Sequence, residues 1–132
     1  MEKMRYLNVD CVLTSKESLT KVISFLNNNI LLLWEQSINN TYSVGFETKL
    51  INTHTPEEDI LKLLSLLESL PPSLSKLIQN CNEKIFDIGF EMGDTLDVFD
   101  SKLDAVLVAA IAKLGFSINI RIYPLFNTSG TT

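Results

Sequence analysis

Histidine is almost missing from this 132-residue chain: there is one, His54. Any site that needs two imidazoles is therefore excluded, and a serine–histidine–acid arrangement would have to centre on His54. Cysteine is nearly as scarce, with Cys11 and Cys81 alone. Two thiols cannot make a disulfide framework or a four-thiolate zinc site, and in a cytosolic chain they read as two buried thiols. The five glycines form no Gly-x-Gly-x-x-Gly and no phosphate loop, and no Gly-x-Ser-x-Gly occurs. Long apolar runs are absent too. The strongest, 30–34 and 105–112, fall well short of the roughly 20 residues of a membrane span. No apolar run of signal-peptide length follows a basic start, so the expected location is the cytoplasm. Bases are outnumbered, eleven Lys and Arg to sixteen Asp and Glu, for a net charge of -5. That balance argues against a nucleic-acid binder, which needs a basic face.

What is present is an ordinary globular composition, 45% hydrophobic and 20% charged. The length suits one domain, expected over 1–126, with 127–132 a loose C-terminal tail. Residues 4–13 alternate with period two, Leu7, Val9, Cys11 and Leu13 against Tyr6, Asn8 and Asp10, which predicts a strand. Thr14 and Glu17 have capping-box spacing before a helix with Leu19, Val22, Ile23 and Leu26 on one face. Strands are expected at 30–37 and 42–51, joined at Asn39 and Asn40, because asparagine tolerates positive φ. Trp34, ending an apolar run, reads as core. Thr55-Pro-Glu-Glu58 predicts a capped helix start, and Pro71-Pro72 ends that helix and opens a shorter one to 81. A fourth strand spans 83–92, a helix 101–114 capped by Gly115, and a last strand 117–123 with Ile118, Ile120 and Ile122 inward. The order βαββααβ, then αβ, predicts an α+β fold. It is a ferredoxin-like core extended by a C-terminal αβ, a mostly antiparallel sheet with helices on one face. The other face should display Asn8, Asp10, Asp87, Glu91, Asn119 and Arg121.

Charge is concentrated in one place. Residues 83–104 hold Glu83, Asp87, Glu91, Asp94, Asp97, Asp100 and Asp104 against Lys84 and Lys102, an excess equal to the whole net charge. A solvated acidic face with helix caps is the plainest reading. A metal site fits poorly. Acids four apart on a strand are about 13 Å apart, and Asp94, Asp97 and Asp100 lack calcium-loop order. The remaining reading is a docking surface for a basic protein, built from Glu83, Asp87, Glu91, Asp94, Asp97 and Asp100. No catalytic residue and no cofactor motif is singled out.

Three stretches within 67–124 carry a resemblance: Ser69-Leu-Pro-Pro-Ser-Leu74, Cys81-Asn-Glu-Lys-Ile-Phe-Asp-Ile-Gly-Phe90, and Ile111-Ala-Lys-Leu-Gly-Phe-Ser-Ile-Asn-Ile-Arg-Ile-Tyr-Pro124. In size and style the chain resembles small bacterial immunity proteins encoded beside secreted toxins, including those of contact-dependent growth inhibition. The resemblance implies a non-enzymatic protein that binds one cognate toxin domain, of a basic nuclease type, with no nucleic acid or membrane contact of its own. It implies no site residue. The alternative expectation is a small-molecule-binding or sensory domain, by analogy of fold. A third is a metal-dependent hydrolase using acidic residues.

Overall fold

The computed structural model describes residues 3–49, 55–95 and 97–125. His54, the far end of the third strand and the C-terminal tail expected at 127–132 lie outside them. The elements run β1 Arg5–Ser15, α1 Thr20–Leu26, β2 Ile30–Ile38, β3 Thr41–Thr48, α2 Pro56–Glu68, α3 Pro72–Gln79, β4 Glu83–Glu91, α4 Ala105–Lys113 and β5 Ser117–Tyr123. The fold is α+β. One five-stranded sheet has the order β2-β3-β1-β4-β5. All neighbours are antiparallel except β4 and β5, which are parallel through the α4 crossover.

The core lies on one face of the sheet. Val9, Cys11 and Leu13 of β1, Val44 and Phe46 of β3, and Phe86, Ile88 and Phe90 of β4 join residues of all four helices in a single cluster. Phe86 stacks on Phe116, centroids 4.3 Å apart. Local chemistry sets the ends of the elements. Asn39 and Asn40 both take positive φ, 52° and 62°, as a two-residue hairpin turn matched to strand twist requires. Thr55 Oγ1 accepts from the Glu58 amide at 3.1 Å, and Pro56 occupies the first helical position. Replacing Thr55 by alanine should therefore cost about 1 kcal/mol in urea unfolding. Gly115, φ 76°, ends α4: its amide donates to Ala112 and the Phe116 amide to Ile111, the paired bonds of a Schellman cap.

Two helix starts differ from expectation. β1 continues through Thr14, which pairs with Glu83, so no capping box forms and α1 begins at Thr20. The ladder hydrogen bonds outweigh the local cap. α4 begins at Ala105, not 101, because Asp104 Oδ1 accepts from the Leu107 amide at 2.9 Å. Val106 then points to solvent, 81% exposed.

Two β-bulges redirect two aromatic side chains. In β1 the register shifts between Tyr6, opposite Phe90, and Asn8, opposite Gly89. Leu7 is the extra residue and is exposed, while Tyr6 turns to the helix side. In β2 the shift falls between Leu32, opposite Phe46, and Trp34, opposite Gly45. Without the bulge Trp34 would face the core. With it, Trp34 lies on the open face, half-exposed rather than core.

Candidate functional site

The open face has a row of acids across its middle. Asp10 of β1 is opposite Asp87 of β4, which is opposite Asn119 of β5. Glu47 of β3 follows Phe46, the partner of Cys11, and so lies beside Asp10. Adjacent strands are about 4.8 Å apart, so three carboxyl groups crowd one line. Donors on the same rung and on the next one hold them. Asn8 Nδ2 donates to Asp10 Oδ1 at 3.0 Å and to Glu47 Oε2 at 2.8 Å. Asn119 Nδ2 donates to Asp87 Oδ1 at 3.0 Å, and Arg121 Nη2 is 3.3 Å from Asp87 Oδ2. Gly89 makes room for this arrangement, since a Cβ there would sit 2.9 Å from Asn8 Oδ1.

Partial burial, then the charge of Glu47 and a hydrogen bond to it, push the Asp10 carboxyl up to about 7. The folded protein therefore holds this proton more tightly than the unfolded chain, whose carboxyl titrates near 3.8. The stabilisation is complete below that lower value and lost as pH rises through about 7. Melting temperature should fall between pH 5 and pH 8. Asp10→Asn should flatten that fall and melt above wild type at pH 8; equal slopes in the two proteins would remove the assignment.

Beside the acids lies a shallow cleft of about 420 Å³, lined by Asp10, Val12, Trp34, Ile85, Asp87 and Arg121. The Trp34 ring lies flat over Gly45, where a Cβ would meet its Cη2 at 2.2 Å. An aromatic platform, two apolar residues, carboxylates and a guanidinium thus share one concave surface. A second cleft, about 580 Å³, opens on the helix side at the β5 border, between Ile88, Phe90, Ile120 and Ile122 and the segment bearing Asp97, Phe99 and Leu103.

The sheet divides the acidic segment. Asp87 is in the open-face row. Glu91, at the end of β4 on that face, is tied to Arg5, Nε to Oε1 2.8 Å. Glu83 is exposed at the start of β4. Asp94, Asp97 and Asp100 follow the strand's end, and Asp97 lines the helix-side cleft. The sequence alone does not single out Glu47 or Trp34 as a site residue. For Glu47 a signal exists, since alternation puts it opposite in sense to Phe46. For Trp34 there is none, because a bulge cancels the alternation.

Neither thiol suits nucleophilic chemistry. Burial pushes Cys11 well up and Cys81 to about 11, so both stay protonated at neutral pH. Among the described residues no three His, Cys, Asp or Glu side chains are grouped to hold a metal ion, and no helix is long and apolar enough to cross a membrane. No family model, curated protein or solved structure matches the chain.

Proposed function

We propose that this chain is a non-enzymatic immunity protein that docks a cognate toxin domain, of basic nuclease type, on the open face of its sheet. The observation that carries the reading is the cleft in which Trp34 adjoins Asp10 and Asp87. Tryptophan beside apolar residues supplies the anchor type that dominates protein interfaces. The crowded carboxyl row supplies a negative field that steers a basic partner. Glu91 carries that field to the end of β4 on the same face, and Asp94, Asp97 and Asp100 follow the strand's end, with Asp97 on the helix side. A lysine or arginine brought against Asp10 would displace its proton, so binding should release a proton near neutral pH and weaken on acidification. The strand order also supports a ferredoxin-like unit in the first four strands. β1 and β2 run parallel on either side of β3, the split βαβ arrangement, and β5 extends it.

Co-expression tests the reading. A neighbouring gene should encode a large secreted protein whose C-terminal domain arrests growth alone and loses toxicity when this chain is present. Asp10→Lys with Asp87→Lys should abolish protection while the chain remains folded. A neighbouring domain that is not toxic, or toxicity unrelieved by this chain, would overturn it.

A second reading, a small-molecule-binding domain in a cytoplasmic sensor, draws on the apolar helix-side cleft, whose volume lies in the usual ligand range of about 300–1,000 Å³. Native mass spectrometry of the purified chain would show a retained ligand; a bare mass would dispose of that reading.

A further inference from the structure

Among the described residues the sheet has two unpaired edges, β2 and β5, and they differ. β2 is guarded by its bulge at Leu33 and carries Glu35. β5 has no bulge, and its one charge, Arg121, is paired with Asp87 of β4. Its register with β4 runs unbroken from Ser117 to Tyr123, and every one of its residues is exposed. Ile118, Ile120 and Ile122 lie on the core side, opposite Phe86, Ile88 and Phe90, yet they are 38%, 61% and 50% exposed. The sequence places them inward, and they do face that side, but α4 buries only Leu107 and Ile111, and the segment bearing Phe99 and Leu103 stands across a cleft from the ladder, which stays partly exposed. A regular, largely apolar edge of this kind is a template for another strand.

We propose that β5 pairs antiparallel with β5 of a second copy, about a two-fold axis through Ile120, joining the two sheets into one of ten strands. The strand is self-complementary about that point. Ile120 faces its own copy, Ile118 faces Ile122, and Asn119 faces Arg121. All three apolar residues on each strand thus meet apolar residues on the core side. On the open face no arginine opposes an arginine: each Arg121 meets an asparagine and keeps its Asp87. Like charges directly opposite would cost stability, and this register has none. Pairing with the β2 edge instead would be heterologous and would generate an open filament rather than a closed dimer. It would also have to cross the bulge. The edge shares Asn119 and Arg121 with the open-face cleft, but the pairing is read by mass in the absence of any toxin, so its failure and that of the toxin-binding reading are distinguishable.

The test is the mass of the full chain by light scattering across a concentration series. The expected mass is twice 14.8 kDa. Ile120→Lys, which sets two ammonium groups face to face on an exposed site, should give the single mass and remain folded, with an unfolding midpoint that, unlike the wild type's, does not rise with protein concentration. Register is read by cross-linking. Facing Cα atoms about 4.5–5.5 Å apart suit a disulfide, so Ile120→Cys should form a covalent dimer under mild oxidant. Ile118→Cys, whose partner is Ile122, should not. A monomer at every concentration, polydisperse growth into filaments, or a dimer that persists in Ile120→Lys would each overturn the proposal. So would failure of Ile120→Cys to cross-link.

Discussion

Asp59→Ala should lower unfolding stability by about 3–5 kcal/mol, since two hydrogen bonds to a charged acceptor contribute about 1.5–3 kcal/mol each. Asp59 is 4% exposed in the first turn of α2. It accepts from the Tyr6 hydroxyl, and its other oxygen accepts from Thr48 Oγ1 at 3.3 Å. One carboxylate thus ties α2 to both β1 and β3. Burial, and then the bond to Asp59, push the Tyr6 phenol far up, so it remains a donor throughout the working pH range. The helix start adds to the stabilisation, because a first-turn carboxylate meets the positive end of the helix dipole. Alanine would leave the Thr48 and Tyr6 hydroxyls without their acceptor. Tyr6→Phe removes one bond and should cost less, and the double variant should cost less than the sum because the two share one interaction. Asp59→Asn retains an acceptor for Tyr6 and should fall between. Urea midpoints at constant slope measure all four. A loss under about 1 kcal/mol in Asp59→Ala would mean that water replaces the carboxylate freely.

That bond network also marks where the sequence was legible and where it was not. Elements with local signals were readable from residues alone. Thr55 and Pro56 set the start of α2, the two asparagines made the hairpin, and Gly115 closed α4. Period-two alternation placed Val9, Cys11, Phe46 and Phe86 inward and Asn8, Asp10, Asp87 and Arg121 on the open face. Tyr6, Leu7 and Trp34 were not legible, and the reason is common to all three. A single extra residue in a strand inverts the facing of its neighbours on one side, and nothing in the local pattern marks the insertion. The candidate site depends on the same kind of non-local fact. Glu47 and Asp10 are far apart in the chain and meet only through the β1–β3 register. The acidic segment was visible as a run, but the sheet separates its members, leaving Asp87 among acids from other strands. The isoleucines of β5 had the right facing, and only the positions of α4 and of the segment bearing Phe99 decided that they stay partly exposed.

Gly45→Ala should change sign with its background. In the wild-type chain the added methyl falls 2.2 Å from the Trp34 ring, so the indole must lift off the sheet. Overpacking of this kind costs about 1–3 kcal/mol. In a Trp34→Ala background the ring that the methyl strikes is gone. There it should stabilise by about 0.5–1 kcal/mol, because alanine loses less backbone freedom than glycine in a strand. Trp34 is the chain's one tryptophan, so its fluorescence reports the lift directly. Emission of Gly45→Ala should shift to the red and quench more readily with acrylamide, in the free protein and without any partner. If the open-face cleft is the docking site, Gly45→Ala and Trp34→Ala should weaken toxin binding alike. Each should lose about 2 kcal/mol or more, roughly thirty-fold, as an aromatic anchor does when removed or displaced. Combining the two should add little to that loss, since both act through one ring. Fully additive binding losses, or an unshifted emission in Gly45→Ala, would show that the indole does not rest on Gly45 and that the cleft is not shaped by it.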